Sequence, residues 1–212
     1  MATDDFTVHI VDDEEPVRKS LAFMLTMSGF AVRIHESATD FLTVAGNLRQ
    51  AVLITDLRMP DMSGVELIHR LGTVNGAIPS IVITGHGDVP MAVEAMKAGA
   101  SDFIEKPFDD DVIMEAIRRA AERLTDGTGG GESGEDIRSR FETLSDRERQ
   151  VLTAVVTGQP NKVIAFNLDI SPRTVEVHRA NVMAKMRARS LPDLVRMSLA
   201  AGIAGQENQR RI

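Results

Sequence analysis

Five short apolar runs alternate with amphipathic stretches through the first 124 residues. Runs near 6–11, 31–35, 51–55, 79–83 and 102–105 predict strands. Stretches near 15–28, 37–46, 64–73, 88–98 and 109–123 predict helices. Strict alternation of this kind implies a parallel sheet with helices covering both faces, because neither element can bury its apolar face alone. Intervals of about 20–25 residues between runs leave room for right-handed crossovers. Ser63-Gly64-Val65-Glu66 has capping-box form, and Gly29 suits a helix C-terminus.

Open parallel sheets bind ligands beyond the carboxyl ends of their strands. Asp12 and Asp13 end the first run, and Asp56 ends the third. Thr84 follows the fourth run and Lys106 the fifth. Taken alone, Asp12-Asp13-Glu14-Glu15 would read as a helix N-terminus, where acids suit the dipole. Asp56 alone would read as a turn cap. Together, three carboxylates, a hydroxyl and an ammonium on four strand ends read as a phosphoryl-transfer pocket. Clustered carboxylates repel unless a cation joins them. Mg²⁺ is typically held by one or two carboxylates plus phosphate and water. Asp56 can then attack phosphorus to form an aspartyl phosphate.

Charge divides the chain. Residues 138–212 carry 13 Lys and Arg against 7 Asp and Glu, whereas residues 1–137 carry 11 against 24. The acidic part suits a cation and the basic part suits nucleic acid. Residues 125–136 hold five glycines and no large apolar side chain, so 125–137 reads as a linker between domains at 1–124 and 138–212. The absence of cysteine excludes disulfides, thiolate metal sites and cysteine catalysis. The acidic N-terminus lacks signal-peptide character, and no apolar run approaches a membrane span. A cytoplasmic protein with no membrane partner is expected.

The basic region predicts helices alone. Ser145-Asp146-Arg147-Glu148 is a capping box ahead of Val151, Leu152, Val155 and Val156. A short second helix carries Val163, Ile164, Ala165 and Leu168. Ser171-Pro172 opens a third, with Val175, Val182 and Met186 facing the core. A fourth spans about 191–202. Helices two and three read as a helix-turn-helix. Arg173, Thr174, Glu176, Val177, His178, Arg179 and Asn181 then include the residues able to face a major groove. Lys162, Lys185, Arg187 and Arg189 are phosphate candidates.

Val11-Asp12-Asp13, Asp56 with Met59-Pro60 and Gly64, Thr84-Gly85, and Lys106-Pro107 resemble the receiver domain of two-component response regulators over about 6–124. The resemblance implies a flavodoxin-like α/β fold with five strands in the order 2-1-3-4-5. It implies that Asp56 accepts phosphate from a cognate histidine kinase. It also implies Mg²⁺ held by Asp13, Asp56 and the Arg58 carbonyl, with Asp12 acting through water. Thr84 and Lys106 would contact the phosphoryl group, Phe103 would be the switch aromatic, and Lys106-Pro107 would be a cis peptide. Leu144-Ser-Asp-Arg-Glu148, Gly158, Asn161-Lys162, Ile164-Ala165, Ile170-Ser171, Thr174-Val175, His178 and Lys185-Met186 resemble the four-helix LuxR-type DNA-binding domain. Pro160 and Phe166 depart from its usual second helix. Together the two matches resemble the NarL/FixJ class. That implies a transcription activator that dimerises on phosphorylation, binds promoter DNA and engages RNA polymerase. Within the class, the likeness points to activation of nitrogen-fixation genes.

Three other functions are compatible with parts of this pattern. An aspartyl-phosphate phosphatase needs a second aspartate two residues after its nucleophile, and Arg58 stands there. The chain is therefore expected to be no enzyme beyond self-phosphorylation and self-dephosphorylation. Gly85-His86-Gly87 ends at Pro90 instead of a third glycine, which supports nucleotide binding only weakly. A protein-docking helical module is the remaining alternative for the basic region.

Overall fold

A computed structural model describes residues 6–74, 78–85, 88–125 and 134–203. The chain forms two compact units, Met1–Gly87 with Ala98–Gly130, and Asp88–Lys97 with Gly131–Ile212.

The first unit is built on strands β1 (Thr7–Val11), β2 (Ala31–His35), β3 (Ala51–Asp56), β4 (Ser80–Thr84) and β5 (Asp102–Glu105). They form one sheet in the order β2-β1-β3-β4-β5 with every pairing parallel, as the resemblance implied. Helices α1 (Glu15–Met27), α2 (Ala38–Ala45), α3 (Gly64–Val74) and α5 (Asp110–Thr125) belong to the same unit. Two apolar clusters account for its core. Val8, Ile10, Val52, Ile54, Ile81 and Ile83 pack with Leu21 and Leu25 of α1 and Ile113 and Ile117 of α5. Val11 and Leu53 pack with Phe41 of α2 and Leu67 and Leu71 of α3. Alternate residues of β1 and β3 thus feed opposite layers, as period-2 side chains require. Ser63 caps α3 by accepting from the Glu66 N–H at 3.1 Å. Gly29 ends α1 at φ 89°, where a side chain would be strained. The Lys106-Pro107 peptide is cis.

The second unit contains α4 (Val89–Lys97), α6 (Gly134–Glu142), α7 (Asp146–Val156), α8 (Asn161–Leu168), α9 (Pro172–Met186) and α10 (Leu191–Ala200). Val151 and Val155 of α7, Ile164 and Ala165 of α8, and Val175 of α9 form an apolar cluster. The α8–α9 turn passes through Asp169 at φ 54°, a left-handed conformation that aspartate tolerates better than most residues. Pro160 is the N-cap of α8: its carbonyl accepts from the Val163 and Ile164 N–H groups, and the N–H that proline lacks would have had no partner within the helix. Phe166 points out, 87% exposed.

One expectation needs correction. The segment 125–137 is not linker throughout: Thr125 closes α5 and α6 begins at Gly134. Residues 126–133 of that segment lie outside the described residues. Helix α6 is held by polar contacts as well as by buried Ile137. Arg138 donates to the Ala201 carbonyl at 3.1 Å, and Arg140 donates to the Met186 carbonyl at 3.2 Å.

Candidate phosphoryl-transfer site and nucleic-acid interface

Lys106 brings the strand ends together. Its Nζ lies 3.1 Å from Asp56 Oδ1 and 3.2 Å from Asp12 Oδ2. The second oxygen of each acid is also engaged. Asp12 Oδ1 accepts from the Glu14 N–H at 2.9 Å, and Asp56 Oδ2 accepts from the Arg58 N–H at 2.7 Å. Asp12 is 1% exposed, Asp56 is buried and Thr84 is buried at the end of β4. Asp13 and the Arg58 side chain are exposed, and Phe103 on β5 is half-buried. The loop after β3 closes tightly on the acceptor. The Gly64 N–H donates to the Leu57 carbonyl at 3.0 Å, and a Cβ on Gly64 would overlap the Asp56 carbonyl oxygen.

One ammonium serves two carboxylates here. Burial raises the Asp12 carboxyl above its ordinary range, although the Glu14 N–H and the Lys106 charge both oppose the shift. Burial alone would lower Lys106, but the Asp12 charge and the Asp56 hydrogen bond outweigh it and hold the amine above its ordinary value. Burial thus governs the shift of Asp12, and pairing with the two acids governs that of Lys106. Among the described residues no group of three His, Asp or Glu side chains stands ready as a metal cage. The donors at these strand ends are nevertheless all oxygen, and exposed Asp13 stands beside buried Asp12. A hard divalent cation that keeps several waters needs no more than one or two carboxylates. The residues therefore fit Mg²⁺.

The pocket has a feature that the sequence reading missed. Arg18 of α1 is buried, and its Nη1 donates to the Asp12 carbonyl at 2.5 Å. A signal was present, since Arg18 stands three and seven residues before the buried Leu21 and Leu25 and so shares their helix face.

On α9, Arg173, Glu176, Val177 and Asn181 are exposed, as is Lys162 on α8. Thr174 is half-buried, its hydroxyl 2.8 Å from Ser171 Oγ at the helix N-cap. Three of the DNA-contact candidates, the phosphate candidate Lys185 and the groove candidates Arg179 and His178, are engaged or enclosed within the unit. Lys185 donates to Glu148 Oε2 at 2.7 Å. Arg179 donates to Asn161 Oδ1 at 2.7 Å, and burial lowers its guanidinium from the ordinary value. His178 is half-buried, with Nδ1 enclosed and unpartnered. Sequence spacing marked these side chains as polar, but polar residues on α9 also meet α7 and α8.

Two family models match the chain, and the first of them includes α4. The response regulator receiver domain model matches residues 8–118, and the model of the bacterial regulatory proteins of the luxR family matches 142–198. The transcriptional regulatory protein FixJ of Rhizobium meliloti is 72% identical over 198 residues, covering 93% of this chain and 97% of that protein. Full-length FixJ from B. japonicum has a crystal structure at 43% identity and TM-score 0.56, covering 93% and 98% of the two chains. A beryllofluoride-activated NtrC4 receiver domain dimer, solved in solution, is 35% identical with TM-score 0.53, covering 56% of this chain and 98% of that one. This chain belongs to the two-component response regulators of the FixJ type, phosphorylation-activated transcription regulators that join a receiver domain to a LuxR-family DNA-binding domain.

Proposed function

We propose that Asp56 is the phosphate acceptor and that its phosphorylation is the input of the switch. The observation that carries this reading is the Asp56 carboxylate, held between Lys106 and the Arg58 N–H at the end of a buried strand. An Asp56 oxygen attacks the phosphorus of a phosphohistidine on the cognate kinase. The phosphorus–nitrogen bond breaks and the imidazole leaves with a proton. Lys106 then turns from two carboxylates to a phosphoryl oxygen, and Thr84 donates to another. Asp13, Asp56 and the Arg58 carbonyl would hold Mg²⁺, with Asp12 reached through water. The ion's chemistry is to neutralise charge that builds on the phosphoryl oxygens.

Phe103 responds by packing alone, since it has no hydroxyl. Moving the receiver from about 1:99 to 99:1 takes about 5.5 kcal/mol of differential stabilisation, an order that a few charge-assisted hydrogen bonds and metal contacts reach. The product is a receiver homodimer that sets two α9 helices on promoter half-sites and recruits RNA polymerase. Nitrogen-fixation genes in the cytoplasm are the targets favoured by the 72% identity to FixJ. Asp56 returns its phosphate to water without turnover of any external substrate.

Radiolabelled phosphate from a small acyl phosphate should enter wild type in Mg²⁺ and not Asp56→Asn. Equal labelling of the two would assign the acceptor elsewhere, and labelling that survives chelation would remove the metal.

A further inference from the structure

The Asp12–Asp13 corner is fixed from three directions. Asp12 Oδ1 takes the Glu14 N–H, Asp12 Oδ2 takes Lys106, and the Asp12 main-chain oxygen takes the Arg18 guanidinium. The first two contacts orient a carboxylate. The third is different, because it fixes the peptide plane between Asp12 and Asp13 and so decides where the exposed Asp13 carboxylate is aimed. Arg18 is well placed for this. It lies one turn inside α1, and its own N–H bonds back to the Glu14 carbonyl at 3.0 Å. Pro16 stiffens the same first turn. Among the described residues Arg18 makes no ion pair, so its guanidinium is a buried charge committed to one main-chain carbonyl. Burying an unpaired guanidinium is costly. A cost of that kind at a strand end beside an acidic pocket calls for a return in site geometry.

We propose that Arg18 is a positioning residue for divalent-cation binding, acting through the Asp12 carbonyl on the aim of Asp13. The inference rests on the reading of this pocket as a Mg²⁺ site. It separates two effects of opposite sign. As a positive charge near the pocket, Arg18 repels a cation, so its loss alone would tighten Mg²⁺ binding. As an anchor of the corner, it preorganises a ligand, so its loss weakens binding. Groups that orient metal ligands from outside typically contribute about 10–100-fold to affinity, and anchoring therefore dominates.

The test is a Mg²⁺ titration of the full-length protein without any phosphodonor, read by amide chemical shifts of residues 11–14 and by the Mg²⁺-induced rise in Tm. Arg18→Met should raise the half-saturating Mg²⁺ concentration about tenfold or more. Arg18→Lys, which keeps the charge and one donor, should recover part of the loss. A melting transition in metal-free buffer reports whether each variant is folded. If Arg18→Met perturbs the fold, Arg18→Gln takes its place: its shorter neutral side chain keeps a polar head for the buried site but falls short of the Asp12 carbonyl, so it should show the same weakened Mg²⁺ affinity, with Arg18→Lys again recovering part of it. Unchanged affinity in the folded variants, or tighter binding in Arg18→Met, overturns the proposal. Asp13→Asn is the control. If wild type and Asp13→Asn respond alike to Mg²⁺, the metal-site reading itself falls, and the Arg18 role falls with it.

Discussion

The Lys185 ammonium of α9 donates to Glu148 Oε2 of α7 at 2.7 Å, and the same oxygen accepts from the Ser145 N–H at 2.8 Å. One carboxylate therefore completes the α7 capping box and ties the last turn of α9 to it. The Lys185 hydrogen bond, followed by the Ser145 N–H, pulls the Glu148 carboxyl from 4.5 to about 2. A depressed carboxyl stabilises the fold above its unfolded value and loses that contribution as pH falls through its folded value. The helical unit should thus weaken between pH 4.5 and about 2. Glu148→Ala should cost about 2 kcal/mol at neutral pH, from the lost cap and a charged hydrogen bond. Thermal unfolding of wild type and variant at pH 7 and pH 3 checks this. A destabilisation of equal size at both values would show that the ionised carboxylate is not what matters.

His9 of β1 weakens the fold in the same direction, at higher pH. It is 2% exposed, with Nδ1 3.0 Å from His35 Nε2, and Phe41 packs on both rings. The outer nitrogen of His35 reaches Asp40 at 3.0 Å. Burial, then the charges of His35 and Arg33, lower His9 from 6.5 to about 4. Between those values the unfolded chain binds a proton that the folded chain refuses, so stability falls as pH falls. The linkage amounts to about 2 kcal/mol at pH 5 relative to neutral pH. Protection of the Val8–Val11 amides, corrected for the intrinsic pH dependence of exchange, should fall accordingly, and His9→Phe should flatten that dependence. An unaltered acid limb in His9→Phe would place the titration elsewhere.

The loop after β3 owes its course to Gly64. A methyl group there would meet the Asp56 carbonyl, a main-chain atom that has no rotamer through which to give way. Gly64→Ala should destabilise the sheet unit by about 1–3 kcal/mol, the usual cost of overpacking. It should also slow phosphate labelling, because Asp56 is displaced from Lys106 and the Arg58 N–H. Labelling at the wild-type rate in a variant of lowered Tm would separate the loop's structural role from the acceptor geometry.

Strand ends were legible because parallel strands are short, apolar on both faces and followed by the ligand-bearing residue. Asp12, Asp56, Thr84 and Lys106 stand at the ends of their runs for that reason, and the cap at Ser145 is written in four consecutive residues. Helix α6 was not legible. Its register depends on Arg138 and Arg140 reaching distant main-chain carbonyls, and composition carries no sign of such contacts. Arg18 was hidden differently, as a charged residue within an apolar stripe. On α9 the polar residues looked alike in sequence. Only their partners separate Lys185, exposed but bound to Glu148, and half-buried Arg179, bound to Asn161, from the exposed Arg173 and Asn181.

That separation gives the last prediction. Residues that face outward should change DNA binding without changing stability, and residues tied inward should do the reverse. In the phosphorylated full-length protein, Lys162→Ala should weaken binding to all sequences evenly and reduce the salt slope by about 1, the signature of one lost phosphate contact. Arg173→Ala should cost about 1–3 kcal/mol on the cognate site and less on unrelated DNA, the signature of a base contact. Arg179→Ala frees Asn161 from its partner on the packed side, so it should lower the Tm of the helical unit and affect all DNA sequences alike. Mobility shifts at two salt concentrations, paired with melting curves, measure every arm. A large loss of sequence discrimination in Arg179→Ala with an unchanged Tm would place that side chain in the groove after all.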